Sequence, residues 1–343
     1  MALKIRSRAP LRIGFAGGGT DIEAYCNSNN GLVLNSTISI YAYTNIKVLN
    51  EKKVIIISSD LNQKIEKLSD GEFKLDDLLT IHKAVYNYMI FNYNDNKILP
   101  IEISTYCSIP PGSGLGSSST IVVSLIRAFV EYLNLPLDDL SIAKLAIKIE
   151  REDCKFSGGR QDQYAASCGG FNFMEFNKNN HTIVNSLRIK NWIKCELEAS
   201  LILYFTGISR KSSEIIEDQT TNIQLGKDKS LEAMHKMRTQ AKRMKEALIC
   251  GDLETFCNCL NEGWQAKKSS SKSVSNEYIE EIYKSAIESG ATAGKLSGAG
   301  GGGFMLFYSP PEKKADVIRN LKVFGGKIYD FHFTEQGCQA WTV

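Results

Sequence analysis

Ile109-Pro110-Pro111-Gly112-Ser113-Gly114-Leu115-Gly116-Ser117-Ser118-Ser119-Thr120 joins a glycine-rich turn to the start of an apolar helix, and the rest of the chain is read outward from it. Glycines at alternate positions let the backbone turn its N–H groups inward, with no Cβ atoms in the way of an anion. The three serines fall where a helix N-cap and first turn belong. Ile121, Val122, Val123, Leu125, Ile126, Phe129, Val130 and Leu133 then continue as a buried helical pattern. Unpaired N–H groups and the positive end of the helix dipole therefore face the loop. A Gly/Ser-rich segment is commonly only a turn, but an exposed linker would not run straight into so apolar a helix. The stretch reads as a phosphate cradle.

The owner of the phosphate is narrowed by what the loop lacks. A Walker loop places Lys-Ser/Thr after its second glycine, and no lysine stands here. A dinucleotide fingerprint needs Gly-x-Gly-x-x-Gly with an acidic residue about 20 positions on, whereas the spacing here is Gly-x-Gly-x-Gly.

A chain of 343 residues with 43% hydrophobic content is long enough for two domains with a real core. Net charge is only +3 and the basic residues are interspersed with acidic ones, which gives no reason to expect nucleic acid. No apolar stretch reaches signal-peptide length or the roughly 20 residues of a membrane span, so a soluble cytoplasmic protein is expected. Nine cysteines show no zinc-type spacing and read as free thiols, and the four histidines are scattered singly. Monomer and homodimer both remain open.

Strand patterns fall at residues 12–16, 32–35, 42–49, 54–58 and 101–107, and helical ones at 78–91, 119–133 and 140–153. Strands at 171–176 and 200–204 flank a polar turn at 178–181. The second half is more helical: Leu231, Met234, Met237, Ala241, Met244 and Leu248 form a core stripe. A Gly251-Asp252 break precedes a helix through Leu253, Phe256, Leu260 and Trp264. A helix near 277–288, strands at 304–308 and 327–333 and a helix at 312–324 complete an α+β chain. The Ser/Lys-rich segment 267–275 reads as a solvated loop.

Between the halves, Glu150-Arg151-Glu152-Asp153-Cys154-Lys155-Phe156-Ser157-Gly158-Gly159-Arg160-Gln161-Asp162-Gln163-Tyr164 ends a helix with acidic residues and turns at a glycine pair. A solvated helix end explains Glu152 and Asp153. It does not explain a Gly-Gly turn that presents Arg160, Gln161 and Asp162 ahead of the small Ala165 and Ala166; a built site does.

Pro110 to Ser119 resembles the central motif of the GHMP kinases, the family of galactokinase, homoserine kinase, mevalonate kinase and phosphomevalonate kinase. Arg8-Ala9-Pro10-Leu11-Arg12-Ile13-Gly14-Phe15-Ala16-Gly17-Gly18-Gly19-Thr20-Asp21 resembles the family's substrate-side motif, and Gly294-Lys295-Leu296-Ser297-Gly298-Ala299-Gly300-Gly301-Gly302-Gly303-Phe304 its third motif. With the three in order, the resemblance spans nearly the whole chain. It implies a two-domain α+β fold. Residues 1–185 would form a ribosomal-protein-like β/α domain and 186–343 a ferredoxin-like α/β sandwich, with the active site in the cleft between them.

The resemblance also implies ATP and Mg²⁺. Pro111, Gly112, Ser113, Gly114, Leu115, Gly116, Ser117, Ser118 and Ser119 would hold the nucleotide. Ser118 and Glu150 would hold the metal, with Glu152 as the alternative carboxylate. Asp162 maps onto the family's catalytic aspartate, which takes the proton of the attacking hydroxyl, and Arg12 onto the basic residue beside it. Gly18, Gly19, Thr20, Asp21, Gln161 and Gly300 fall in the acceptor's region. Galactokinases carry Gly-Glu-His-Thr-Asp where this chain has Gly-Gly-Gly-Thr-Asp, which disfavours galactose. Together with Gly-Gly-Arg-Gln-Asp-Gln-Tyr and Thr206-Gly207-Ile208-Ser209-Arg210-Lys211-Ser212-Ser213, this segment resembles the family's branch of bacterial D-glycero-D-manno-heptose 7-phosphate kinases. A small sugar phosphate is thus the expected partner. Its phosphate needs a second anion site, for which Arg160 and Arg210 stand first and Lys211, Lys267, Lys268 and Lys272 follow by charge. An L-fucokinase-like enzyme or a non-catalytic sugar and nucleotide sensor are the alternatives.

Overall fold

Two long antiparallel strands, β1 (Lys4–Ala16) and β2 (Gly31–Val48), carry the first half of the computed structural model, which describes residues 3–68, 71–76, 78–209, 212–225 and 228–343. Both run well past the apolar fragments that the sequence pattern marks. The interruptions are buried polar side chains that satisfy one another: Ser7 Oγ donates to Ser124 O at 2.6 Å and Ser124 Oγ to Thr44 Oγ1 at 3.0 Å. Helix α1 (Glu23–Asn29), absent from the sequence reading, lies between the two strands.

The rest of this half follows as β3 (Lys53–Ser58), β4 (Gln63–Leu68), α2 (Thr80–Tyr93), β5 (Ile101–Cys107), α3 (Ser117–Leu133), α4 (Asp139–Lys148), α5 (Gln161–Cys168), β6 (Phe171–Phe176) and β7 (Thr182–Ser186). The far half of β2 pairs with β5 and its near half with β6, so the sheet forks along this one strand. Register shifts between Pro10 and Arg12 and between Gly14 and Ala16 bend β1 just where it meets the phosphate loop. A bulge of this kind re-aims a side chain, here that of Arg12.

The second half is built from α6 (Asn191–Ser200), β8 (Leu201–Phe205), α7 (Ser212–Gln224), α8 (Asp228–Cys250), α9 (Leu253–Ser270), α10 (Glu277–Glu288), β9 (Ala293–Leu296), β10 (Phe304–Tyr308), α11 (Pro311–Lys322) and β11 (Lys327–Tyr329). Its antiparallel sheet has the order β11-β8-β10-β9, the ferredoxin-like arrangement. The methionine stripe of α8 is buried core, as its spacing indicates. All nine cysteines are unpaired. Among the described residues no helix is long and apolar enough to cross a membrane.

Three departures from the sequence reading bear on the site. The helix expected over 140–153 is α4 followed by a π-helical turn at Ile149–Asp153, which shifts the carboxylates that follow. Residues 267–270 are not solvated loop: α9 continues through Ser270, because Phe256, Leu260 and Trp264 form a buried stripe that Lys267 extends on the same face. The final strand, β12 (Gln339–Thr342), leaves the second half and pairs with β1, adding an edge to the first sheet.

Candidate active site

The three motifs meet around a cavity of about 970 Å³ walled by both halves of the chain. The phosphate loop forms one side. Gly112, Gly114 and Gly116 take positive φ angles of 69°, 90° and 80°, and α3 begins at Ser117 with its N-terminus turned into the cavity wall. Leu115 is fully buried and anchors the loop, with Arg12 N donating to its carbonyl at 3.3 Å. Ser113 O accepts from Phe304 N at 2.9 Å, which fastens the loop to the third motif; Pro111 is exposed at its rim. A Cβ on Gly298 would lie 2.5 Å from Gly114 Cα, so these two glycines allow the motifs to touch.

Asp162 sits directly over this loop: a Cβ on Gly116 would come within 2.9 Å of its Cγ and Oδ2. Arg12 holds it from below, with Nε and Nη2 both 2.7 Å from Oδ1, and Nη1 donates to Gly114 O at 2.8 Å. The pair expected from sequence is therefore in place. Both arginine contacts fall on one oxygen, which leaves Oδ2 for another partner.

Glu150 lies on the π-helical turn, almost fully buried, and lines the cavity with Ser118. Ser119 Oγ donates to its Oε1 at 3.1 Å, and Gln163 Nε2 donates to its Oε2. Burial pushes this carboxyl above its ordinary range, with Arg151 and the two hydrogen bonds opposing the shift. Glu152, the alternative carboxylate, is exposed and does not line the cavity. An exposed Ser118 and a buried Glu150 hydrogen-bonded only by neutral donors, both on the cavity wall, are the oxygen ligands that suit a hard cation completed by phosphate oxygens. Among the described residues no cluster of three acidic, histidine or cysteine side chains exists, so a metal here would rely on the nucleotide for most of its ligands.

The acceptor residues divide. Gly18, Gly19 and Asp21 line the cavity, as does Gln161, whose buried Oε1 has no hydrogen-bond partner. Asp21 is nearly saturated by its own chain. Its Oδ1 accepts from Gly19 N at 3.0 Å, and its Oδ2 accepts from Arg160 N at 2.8 Å and Gln161 N at 3.0 Å. It thereby caps the start of α5 and ties the glycine loop to the helix that carries Asp162. Gly159 must be glycine for this, since a Cβ would fall 2.0 Å from Asp21 Oδ2. Thr20 is fully buried and pins the loop instead of facing a ligand, its hydroxyl donating to Gly17 O at 2.8 Å.

Arg160 is not brought to the cavity. Its guanidinium is buried the other way, Nη1 donating to Asn180 Oδ1 at 2.6 Å and Nη2 to Cys26 Sγ at 2.7 Å. Gly300 is likewise off the cavity: a Cβ there would meet Val274 Cα at 2.8 Å, so it serves packing. Arg210 and Lys211 lie outside the described residues. Lys268 pairs with Glu280 at 2.8 Å, and Lys272 is exposed.

Two other cations do line the cavity. Lys267 Nζ donates to Gly298 O, and Lys295 Nζ donates to Gly14 O at 2.8 Å and Phe15 O at 3.1 Å; both are buried and both line the cavity. Burial first, then Arg12, lowers Lys267 to about 8, with Asp21 opposing. Burial, then Lys267 and Arg12, carries Lys295 well below the usual lysine range. Lys295 stands inside the third motif, yet an ammonium in a short apolar strand gives no signal of its own.

This arrangement, a phosphate-binding helix terminus beside a carboxylate–arginine pair, defines a phosphotransferase site. Residues 80–170 match the GHMP kinases N terminal domain and residues 244–325 the GHMP kinases C terminal domain, and the chain belongs to the GHMP kinases. It is 49% identical, over 99% of each chain, to a D-glycero-alpha-D-manno-heptose 7-phosphate kinase of Campylobacter jejuni. The crystal structure of a D-glycero-D-manno-heptose 1-phosphate kinase from Bacteroides thetaiotaomicron superposes with a TM-score of 0.84 at 40% identity, over 99% of both chains. A galactokinase of Lactococcus lactis shares the fold at 18% identity and a TM-score of 0.77, over 98% of this chain and 95% of its own.

Proposed function

We propose that the protein transfers the terminal phosphoryl group of ATP to the anomeric hydroxyl of D-glycero-D-manno-heptose 7-phosphate, giving the 1,7-bisphosphate used in GDP-heptose synthesis. The observation that carries this reading is the placement of Asp162 over Gly116, at the mouth of α3, with one carboxylate oxygen left free of Arg12. The names of the two heptose kinases agree on a phosphorylated heptose and differ in where its phosphate sits. The 7-phosphate is preferred because only that isomer leaves the anomeric hydroxyl free.

In this mechanism the backbone N–H groups of residues 112–119 and the α3 dipole bind the triphosphate. Asp162 accepts the proton of the anomeric hydroxyl as its oxygen attacks the γ-phosphorus; the bond to the β,γ-bridging oxygen breaks and ADP leaves. Arg12 fixes the carboxylate and offsets charge on the moving phosphoryl group. Gln161 Oε1 accepts from a sugar hydroxyl, which supplies its missing partner. Ser118 Oγ and Glu150 would hold Mg²⁺, which when bound neutralises charge on the nucleotide oxygens. We place the enzyme in the cytoplasm.

A coupled ADP-release assay over heptose 7-phosphate, heptose 1-phosphate, free heptose and L-fucose tests the reading. Turnover is expected with the 7-phosphate, with a new anomeric phosphate resonance in the ³¹P spectrum. Preference for the 1-phosphate or for an unphosphorylated sugar refutes it.

A further inference from the structure

Lys267 on α9 and Lys295 on β9 have no assigned role in phosphoryl transfer, yet both stand buried in the cavity wall. Among the described residues neither forms an ion pair; three backbone carbonyls, of Gly14, Phe15 and Gly298, are their hydrogen-bond acceptors. Carbonyls satisfy N–H bonds but carry no net charge. A buried ammonium without a counter-ion is strongly disfavoured, and a second one beside it adds repulsion. Arg12 stands with them, but its charge is matched by Asp162. Only the Asp21 carboxylate favours the charge on Lys267, so the wall offers two buried amines whose charged forms a phosphate dianion would stabilise.

The position of the lysines decides which phosphate. The triphosphate already has the α3 terminus, the glycine loop and the Ser118–Glu150 pair on its own side of the cavity. Lys295 is tied to β1 at Gly14 and Phe15, immediately before the glycine loop that ends at Asp21. Lys267 is close enough to Asp21 for the carboxylate to act on it. Lys295 therefore borders the acceptor's end, and Lys267, held by Gly298 beside the phosphate loop and acted on by Asp21, stands between the acceptor and the phosphates. The side chain that sequence favours for this task, Arg160, is turned away and bonded to Asn180 and Cys26.

We infer that Lys267 and Lys295 together form the subsite for the phosphate group that the acceptor sugar already carries, and so select phosphorylated over free sugars. The inference rests on the sugar-phosphate reading of the acceptor. Each lysine would add a charge-assisted hydrogen bond to the dianion.

The test compares Lys267→Met and Lys295→Met with Lys267→Arg in the full-length enzyme. Each methionine variant is expected to raise KM for heptose 7-phosphate by about tenfold to a hundredfold, with KM for ATP changed by less than about twofold. Inorganic phosphate is the second probe: it should compete with the sugar phosphate in the wild type and lose potency in the same proportion in the variants. Lys267→Arg should recover part of the loss. Thermal melting guards against misfolding, and replacing an unpaired buried charge by an apolar side chain should leave the midpoint unchanged or higher. An unchanged KM for the sugar phosphate in folded variants overturns the inference. So does a rise in KM for ATP or a fall confined to kcat, either of which would give the lysines to the transferred phosphoryl. Failure of the function reading looks different, because the wild type itself would then prefer the 1-phosphate or an unphosphorylated sugar.

Discussion

Asp162→Asn is the sharpest single perturbation of the proposed chemistry. Both Arg12 contacts fall on Oδ1, so an asparagine that keeps its oxygen there and places its NH₂ at the Oδ2 position retains the arginine contacts while losing the proton acceptor. The geometry is preserved and the basicity is removed. General-base assistance is typically worth about 10²–10⁴ in rate, or roughly 3–5 kcal/mol of barrier at 1.36 kcal/mol per decade. The stability effect should be smaller, because the pair is partly wet: the Asp162 side chain is 23% exposed and that of Arg12 6%. Leaving Arg12 with a neutral partner should cost about 1–2 kcal/mol after this screening. The assay is steady-state turnover with heptose 7-phosphate, alongside titration with a non-hydrolysable ATP analogue. We expect kcat to fall at least about a hundredfold and nucleotide Kd to move less than about twofold. A variant that turns over within threefold of wild type refutes the base assignment, and one that also loses nucleotide shows that Asp162 supports the loop instead.

Two further predictions use the same site. Gly116→Ala puts a Cβ 2.9 Å from the Asp162 carboxylate at a φ of 80°, and should lower kcat by about a hundredfold through displacement of that side chain. Gly325→Ala, at a φ of 74° with no atom within 4 Å, carries the backbone strain alone and should lose stability but keep kcat; equal kcat losses in the two variants would dismiss the contact argument. Glu150→Gln should raise the Mg²⁺ concentration needed for half-maximal rate and yet raise the melting temperature, because it removes a buried charge. Burial raises the Glu150 carboxyl above its ordinary 4.5, so between 4.5 and that raised value the folded chain holds a proton the unfolded chain has lost. Stability from this group therefore falls as pH rises through that window, and the glutamine variant should flatten that part of the pH–stability curve. An unchanged metal requirement in Glu150→Gln, with a raised one in Glu152→Gln, would transfer the ligand role.

The parts of the site that sequence made legible are those whose chemistry is local. A run of alternate glycines followed by hydroxyls at a helix start specifies a phosphate loop by itself, and Ser117 does open α3. Asp162 was singled out by the Gly158-Gly159 turn before it and by its match to the family's catalytic aspartate, although Gly159 is also required by its approach to Asp21. What sequence could not show is direction. Arg160 stands two residues from Asp162, yet while Asp21 holds its backbone N–H its guanidinium runs to Cys26 and Asn180. Asp21, read as a sugar ligand, is engaged by three backbone N–H groups from two segments about 140 residues apart, a pairing that no local pattern encodes.

Lys267 shows the opposite case, a signal that was present and misread. Composition marks 267–275 as solvated, but the stripe of Phe256, Leu260 and Trp264, continued by the three-residue helical step, already places Lys267 on the buried face of α9. Periodicity reports which face a side chain occupies, whereas composition reports only the average setting of its neighbours. A lysine that continues an apolar stripe is therefore a stronger functional signal than one in a basic cluster, because burying it requires a compensating charge. Here, in our reading, that charge arrives with the substrate.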